Sequence, residues 1–251
     1  MQDKISFSSN LAKYGMGLFE TIKVVKGQPL FLDEHLNRLY NSINTLELNF
    51  AIKKEILQKK IANFATDLDQ QALRVTICDQ GYNFSTRDIP YQSRDYKAGY
   101  DLQISNISRG NNPLYKHKTT NYFTNLYARK KARNCGYDDA LFLNSDNFIL
   151  EAAVANIFFI KGDQIYTPSA DLALLPGIIR NKVFAVAKEL DLKVKEVILE
   201  KPELALFDFA FITNSLMGLM RVNKIDTIKY QAESEIFKQL KTGLKNREVR
   251  S

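Results

Sequence analysis

Residues 140–166, ALFLNSDNFILEAAVANIFFIKGDQIY, are the stretch that decides the fold class. It contains four short apolar runs, with turn-forming residues at Ser145-Asp146-Asn147 and at Gly162-Asp163. The runs cover residues 140–143, 148–152, 157–160 and 164–166. Short apolar runs at this spacing predict consecutive strands, so we expect a β-meander or a barrel-like sheet here.

Helical patterns lie on both sides of this stretch. Residues 120–134 predict a helix that stops at Gly136, and a Pro-Gly pair precedes a second predicted helix at 177–190. Further strands are predicted at 194–199, 209–213 and 224–230, followed by a closing helix. These elements predict a larger domain, residues 118–251, that combines a barrel-like sheet with helices.

The N-terminal part begins with a predicted hairpin and two helices. Strands at 18–25 and 29–32 are separated by a Lys-Gly-Gln turn signal. Asp33 is the expected N-cap of the first helix, whose apolar residues Leu36, Leu39, Ile43 and Leu46 have helical spacing, and residues 52–68 continue the pattern in a second helix. The apolar faces of both helices need a sheet to pack against.

Residues 73–78 and 100–106 are the expected further strands of that sheet. The small α/β domain is therefore predicted to span residues 1–108. A Gly-Asn-Asn-Pro cluster makes residues 109–117 the expected linker to the larger domain. The whole chain is predicted to belong to the α+β class.

The composition excludes several classes of protein. The 251 residues include 35 Lys and Arg against 28 Asp and Glu, which gives a net charge of +7. Two cysteines and two histidines without ligand spacing disfavour a disulfide framework, a zinc module and a three-histidine site, so no metal is expected. No signal-like or membrane-spanning apolar run is present, which predicts a cytoplasmic protein that binds no membrane. The basic charge occurs without a nucleic-acid-binding motif, so a small anionic substrate is favoured over nucleic acid.

Two charged positions in the sequence can carry chemistry. The segment KHKTTNY starts at Lys116, and a lysine desolvated beside His117 and Tyr122 becomes a nucleophile toward carbonyls. The pattern leaves open whether Lys116 or Lys118 has this role, and a basic linker before a helix explains the segment equally well. Glu151 interrupts an apolar stretch, where a buried carboxylate needs a cationic or protonated partner.

Two backbone-rich segments complete the set of candidates. LLPGIIR, from Leu174, places a helix start where free backbone N–H groups can bind a phosphate, although an ordinary loop-to-helix junction has the same pattern. Thr213-Asn214-Ser215 follows an apolar strand, where the three side chains can face a ligand or cap the next turn. A nucleophilic lysine, a buried acid and a phosphate-binding helix start together favour pyridoxal phosphate, which has an aldehyde, a ring nitrogen and a phosphate.

Seven ordered motifs resemble the fold type IV pyridoxal-phosphate enzymes over about residues 14–222. This family includes branched-chain aminotransferases, D-amino-acid transaminases and 4-amino-4-deoxychorismate lyases. The motifs are YGMGLFETIKV from Tyr14, EHLNRL from Glu34, HKTTNYFTNLYARKKA from His117, GYDDALFLN from Gly136, EAAVANIFF from Glu151, LLPGIIR from Leu174 and ITNSLMGLMRV from Ile212. The resemblance implies a two-domain fold with a small α/β domain and a larger barrel-like domain, pyridoxal 5′-phosphate as cofactor, and a homodimer.

The resemblance also implies the roles of individual residues. It makes Lys118 the lysine that bonds to the cofactor's aldehyde, because the family's lysine precedes an Asn-Tyr pair by three or four positions. Catalytic roles are implied for Lys118, Glu151, Tyr122 and Thr21. Cofactor contacts are implied for Glu151 at the ring nitrogen, Tyr122 at the phenolic oxygen, Arg38 and the backbone of Ile178 and Ile179 at the phosphate, and Ser215. Substrate contacts are implied for Tyr14, Phe19, Thr21, Asn214 and, as the partner of a carboxylate, Arg109.

Three departures from the family pattern affect these expectations. Met16 stands where relatives often have Asp, Ile179 lacks the hydroxyl that Thr or Ser would add at the phosphate, and the usual first hairpin is not evident at the N-terminus. FETI at residues 19–22 looks most like 4-amino-4-deoxychorismate lyase, since branched-chain enzymes tend to have Gly where Thr21 stands. The expected reaction is therefore lysis of 4-amino-4-deoxychorismate to 4-aminobenzoate and pyruvate, for folate synthesis. The alternative is an aminotransferase for branched-chain or D-amino acids.

Overall fold

The computed structural model describes residues 4–50 and 52–249, which form two compact units. Within the described residues, the first unit runs to Pro90 and includes His117–Tyr122. The second comprises Tyr91–Lys116 and Phe123–Val249. Both units combine sheets with helices, so the predicted α+β class with a larger sheet domain is confirmed.

The first unit is a four-stranded antiparallel sheet that packs two helices on one face. Its elements are α1 (Asn10–Tyr14), β1 (Gly17–Val25), β2 (Gln28–Pro29), α2 (Leu32–Thr45), α3 (Lys54–Ala65), β3 (Gln71–Cys78) and β4 (Gly81–Asp88). The strand order is β2-β1-β3-β4. Lys26 and Gly27 both have left-handed φ angles, 49° and 78°, which suits the two-residue turn of the β1–β2 hairpin.

Alternation along β1 gives its two faces different roles. Leu18, Ile22 and Val24 join the apolar core with α2 and α3, and Glu20 shares their parity. Phe19 and Thr21 have the opposite parity and point to the other face of the sheet. The expected N-cap residue Asp33 lies inside the first turn of α2, because the left-handed Phe31 is the N-cap and the helix begins at Leu32.

The second unit contains a nine-stranded mixed sheet in the order β10-β9-β8-β11-β12-β5-β6-β7, with β13 paired to β12. Its elements are α4 (Ser93–Ala98), β5 (Tyr100–Ile104), a 3₁₀ turn (Pro113–Lys116), α5 (Phe123–Asn134), β6 (Asp139–Leu143), β7 (Ile149–Ala152), β8 (Asn156–Lys161), β9 (Gln164–Pro168), α6 (Ile178–Glu189), β10 (Lys193–Val197), a second 3₁₀ segment (Lys201–Leu206), β11 (Phe209–Asn214), β12 (Gly218–Ile225), β13 (Ile228–Lys229) and α7 (Glu235–Glu248). Strands β8 and β11 are apolar on both faces, because helices cover the face of the sheet opposite the main core. On that face, the rings of Phe209 and Phe211 contact the ring of Phe237 in α7.

Several further details differ from the sequence-based expectations. Residues 109–116 of the expected linker belong to the second unit, and only His117 of that segment lies in the first. The strand predicted at 100–106 pairs with β6 and β12 in the second sheet, so residues 91–108 belong to the second unit and not to the small domain. The polar stretch after Cys78 forms β4, which pairs with β3 at the edge of the sheet. This edge strand is largely exposed, so it needs few apolar residues. The helix predicted from residue 120 begins at Phe123, since residues 118–120 hydrogen-bond to β1 and lie in the first unit.

None of the helices among the described residues is both long enough and apolar enough to cross a membrane.

Candidate active site

Lys118 is held in place by backbone pairing with β1. Phe19 N donates to Lys118 O at 2.9 Å, and Thr120 N donates to Gly17 O at 2.9 Å. The Lys118 Nζ atom lies 4.6 Å from the centroid of the Phe19 ring and 5.3 Å from that of Tyr122. These two rings meet edge to face, with centroids 5.3 Å apart. The predicted residues Lys118, Tyr122 and Phe19 are therefore brought together, with the amine beside two aromatic rings.

Arg38 is anchored by a buried carboxylate that the sequence analysis did not single out. Glu20 Oε1 accepts from Arg38 Nε at 2.8 Å, and Glu20 Oε2 accepts from Arg38 Nη2 at 2.6 Å. The second oxygen also lies 2.7 Å from His35 Nδ1. Burial raises the pKa of Glu20, but Arg38 and His35 outweigh it and lower this pKa to about 2. At neutral pH an ionised Glu20 thus fixes the orientation of the guanidinium.

Arg74 is a second residue that the sequence analysis missed. It lies directly opposite Thr21 in the β1–β3 register, on the face that also carries Phe19. Its guanidinium carbon is 3.6 Å from the Phe19 centroid, and its Nε donates to Thr76 Oγ1 at 3.2 Å. Burial lowers the pKa of Arg74. A charged residue among the apolar residues of QALRVTIC was the signal that could have found it.

Glu151 in the second unit is surrounded by hydrogen-bond donors. Arg109 Nη1 donates to its Oε1 at 2.8 Å, while Asn156 Nδ2 at 3.1 Å and Leu175 N at 3.2 Å donate to its Oε2. The residue is 6% exposed. A buried carboxylate with three donors is held as an anion, so it can stabilise a protonated nitrogen.

The position of Arg109 differs from the expectation that it binds a substrate carboxylate. The residue is 1% exposed, forms an ion pair with Glu151 and stacks 3.9 Å from the centroid of the Phe142 ring. Its charge is therefore used inside the second unit, where it compensates Glu151.

The start of α6 has the features of an anion site. Gly177 is the N-cap, and no side-chain cap bond is found there among the described residues. The backbone of Ile178 and Ile179 forms the first turn, at the positive end of a 12-residue helix. The Arg180 side chain points into the unit, where it pairs with Glu196 and donates to Pro168 O. Backbone groups are thus the donors that this helix start offers.

Asn214 is used to build a turn. Its Oδ1 accepts from Leu216 N and Met217 N at 3.0 and 2.9 Å, and its Nδ2 donates to Tyr91 Oη and Val154 O, each at 3.1 Å. These bonds stabilise the β11–β12 connection. The predicted contact of Asn214 with substrate stays a prediction. Ser215 is half-buried in the same turn, and Tyr14 is exposed at the end of α1.

The site residues are thus distributed over both units. Tyr14, Phe19, Thr21, Arg38, Lys118 and Tyr122 lie in the first, and Arg109, Glu151, Ile178, Ile179, Asn214 and Ser215 lie in the second. The first unit supplies an amine and an oriented guanidinium, and the second supplies an ionised acid and a helix start. Taken separately, the groups of the first unit would suit an aldehyde and a phosphate, and those of the second unit a basic ring nitrogen and a phosphate. The described residues contain no cluster of His, Cys, Asp and Glu side chains that fits a metal ion.

Comparison with known proteins identifies a family that matches most of the chain. The pattern that defines class IV amino-transferases matches residues 17–225. The chain is 29% identical over 239 residues to the aminodeoxychorismate lyase of Bacillus subtilis, with 88% of this chain and 81% of that protein covered. It is 28% identical over 229 residues to a Rickettsia felis protein assigned as a branched-chain-amino-acid aminotransferase, with 85% and 79% covered. A solved structure from Legionella pneumophila, assigned as a 4-amino-4-deoxychorismate lyase, matches with a TM-score of 0.91 at 29% identity and covers 99% of this chain and 97% of that one.

Proposed function

The chain belongs to the class IV aminotransferase family and is a pyridoxal-phosphate enzyme, and from this premise we propose that it is a 4-amino-4-deoxychorismate lyase. The products are 4-aminobenzoate and pyruvate, and the former supplies folate synthesis. The observation that carries the proposal is a threonine, and not the glycine that branched-chain enzymes tend to have, at position 21, opposite Arg74 on the face that carries Phe19. The similarity to the Bacillus subtilis lyase supports it.

Lys118 is the central residue of the proposed reaction. Pyridoxal phosphate supplies an electron sink for the substrate carbon that carries the amine. The Nζ atom of Lys118 would hold the cofactor, and once the substrate amine has released it, Nζ would take the proton from that carbon. The same Nζ would deliver this proton to the departing enolpyruvyl group, which leaves as pyruvate. One side chain therefore acts first as base and then as acid, with the Phe19 and Tyr122 rings beside it.

Glu151 and the phosphate ligands have binding roles in this proposal. The Glu151 carboxylate, fixed by its three donors, would pair with the protonated ring nitrogen. Arg38, oriented by Glu20, and the backbone of Ile178 and Ile179 would bind the phosphate. Ile179 adds no hydroxyl there, so backbone groups and the arginine carry the phosphate contacts.

Arg74 is the cation that we assign to a substrate carboxylate, in place of Arg109. Its guanidinium lies against Phe19 and opposite Thr21, which are two of the residues expected to line the substrate site. A planar guanidinium binds a carboxylate through two hydrogen bonds. The Thr21 hydroxyl can add a further bond to the same substrate.

The experiment that tests the lyase function measures product without any keto acid. An elimination consumes no amino-group acceptor, so the purified protein should give many equivalents of 4-aminobenzoate per subunit from 4-amino-4-deoxychorismate alone. Production that stops near one equivalent and resumes only with 2-oxoglutarate or pyruvate would contradict the proposal. Thr21→Gly is the matched variant, and we expect it to lose this activity while it retains the bound chromophore.

The second candidate is an aminotransferase for branched-chain or D-amino acids, which the similarity to the Rickettsia felis protein supports. It uses the same Lys118 to move a proton between the substrate carbon and the cofactor. This candidate replaces the first if such amino acids convert the chromophore, a keto acid restores it, and 4-amino-4-deoxychorismate is inert.

We propose in addition that the enzyme is a cytoplasmic homodimer that binds neither nucleic acid nor membranes. Phe123, Leu126 and Tyr127 are exposed and share one face of α5, which supports an apolar contact with a second copy. Sedimentation of the holoenzyme tests the oligomeric state: the mass of a dimer is expected, and Leu126→Glu should yield the mass of a monomer.

A further inference from the structure

Asn156, the first residue of β8, connects Glu151 to the loop that precedes α6. Its Nδ2 donates to Glu151 Oε2 at 3.1 Å and to Leu175 O at 2.8 Å. Leu175 N in turn donates to the same Glu151 oxygen at 3.2 Å. The carboxylate, the amide and the loop backbone thus form a closed triangle, and Asn156 is only 6% exposed.

The amide of Asn156 has a single acceptable orientation in this triangle. Exchange of its oxygen and nitrogen would place Oδ1 against two acceptors, the Glu151 carboxylate and the Leu175 carbonyl. Two buried acceptors in contact are costly, so both N–H bonds of Asn156 must point as they do.

The lack of a side chain at Gly177 leaves space for the Oδ1 atom of Asn156. A Cβ atom on Gly177 would lie 2.0 Å from Asn156 Oδ1 and 3.2 Å from its Cγ. Any side chain at this N-cap position therefore has to displace the Asn156 amide. The absence of a side chain at Gly177, whose φ of −70° does not itself require glycine, is explained by this close approach.

We propose that Asn156 is a positioning residue that couples the acid for the cofactor's ring nitrogen to the backbone for its phosphate. Glu151 and the first turn of α6 would bind two ends of one rigid cofactor, so the separation between these two groups has to be fixed. A single amide, hydrogen-bonded to Glu151 and to Leu175 and packed against Gly177, fixes it. The proposal rests on the proposed role of Glu151 but is independent of whether the reaction is elimination or transamination.

The first test measures the binding of pyridoxal phosphate to apoprotein, without substrate. Asn156→Ala should weaken the affinity roughly tenfold, the loss expected for a hydrogen bond to a charged group. Asn125→Ala is the matched control, because Asn125 is also buried but donates to Ala153 O at 2.7 Å and not to a carboxylate. Should Asn156→Ala be unstable, Asn156→Ser retains a small polar side chain and should show the same direction of change.

The second test separates positioning from a general structural role. The protonation of the ring nitrogen is followed by the ¹⁵N shift of labelled, bound cofactor as a function of pH. Asn156→Ala should lower the midpoint of this titration by roughly one pH unit, because a less fixed carboxylate holds the proton less well. Gly177→Ala should act in the same direction, since it displaces the amide without removing it, and Asn125→Ala should match the wild type.

Two results would overturn the proposal. The first is a wild-type affinity and midpoint in both Asn156→Ala and Gly177→Ala. The second is a double variant in which the effects of Asn156→Ala and Glu151→Gln on the titration midpoint add. A residue that acts through Glu151 must lose its effect once the carboxylate has been removed, so additivity would show that Asn156 acts by another route. Since no substrate is present, failure of the lyase proposal would leave these outcomes unchanged and is recognised separately in the keto-acid experiment.

Discussion

Asp139 on β6 is a carboxylate whose ionisation is expected to destabilise the protein. Its side chain is fully buried, with Oδ1 accepting from Ala140 N at 2.8 Å. Arg129 Nε lies 3.8 Å from Oδ1, which is too long for a good hydrogen bond, and Oδ2 lacks a hydrogen-bond partner within the described residues. Burial therefore dominates and raises the pKa of Asp139 to about 6, although Arg129 and nearby backbone N–H groups lower it.

The magnitude follows from the two pKa values. The carboxyl has a pKa of 3.8 when unperturbed and about 6 in the folded protein. The folded state consequently binds more protons than the unfolded state between these values, and the free energy of unfolding falls as the pH rises through this interval. The penalty is about 0.5 kcal/mol at pH 4 and roughly 3 kcal/mol at pH 8, at 1.36 kcal/mol per pKa unit.

Asp139→Asn should remove this penalty, because the amide has the shape of the protonated acid and does not titrate. We expect the variant to be about as stable as the wild type near pH 4 and more stable by roughly 3 kcal/mol at pH 8. Urea unfolding at five pH values between 4 and 8 measures the difference. Asp146→Asn, which removes an exposed carboxylate in a turn, controls for the loss of one negative charge. A variant that is less stable than the wild type at pH 8, or a difference that does not change with pH, would refute the reasoning.

Three further predictions concern the first unit. Borohydride reduction of the holoenzyme should fix the cofactor to Lys118, and peptide mapping that finds it on Lys116 would refute the assignment. Glu20→Gln should weaken pyridoxal phosphate binding by releasing Arg38, and it should lower the free energy of unfolding at pH 7 by roughly 3 kcal/mol. Because the folded pKa of Glu20 is about 2 against 4.5 when unperturbed, this difference from the wild type should shrink as the pH falls from 4.5 toward 2, as measured by urea unfolding. Arg74→Gln should raise the KM for a carboxylate substrate about tenfold without changing cofactor affinity, and an unchanged KM in steady-state assays would remove Arg74 from the substrate site.

The sequence predicted those elements whose pattern is local. Strands β6 to β9 follow from apolar runs and turn residues in one continuous stretch, the helices α2 and α3 follow from helical spacing, and the start of α6 follows from a Pro-Gly pair. Strand β4 was missed because an exposed edge strand needs little apolar sequence. Strand β5 was assigned to the wrong sheet because the choice of its partners, β6 and β12, depends on segments far along the chain.

For the candidate site, the sequence by itself determined which residues are chemically unusual: a lysine beside His117 and Tyr122, and an acid, Glu151, inside an apolar strand. Local patterns and motif order are sufficient for that. Only the tertiary structure decided how these groups are held, because their partners are distant in sequence. Arg109 is 42 residues from the carboxylate that it neutralises, and Glu20 is 18 residues from the arginine that it orients. A charge in a sequence has no fixed partner, and its partner is chosen when packing brings side chains within hydrogen-bond distance and excludes the water that would otherwise solvate them.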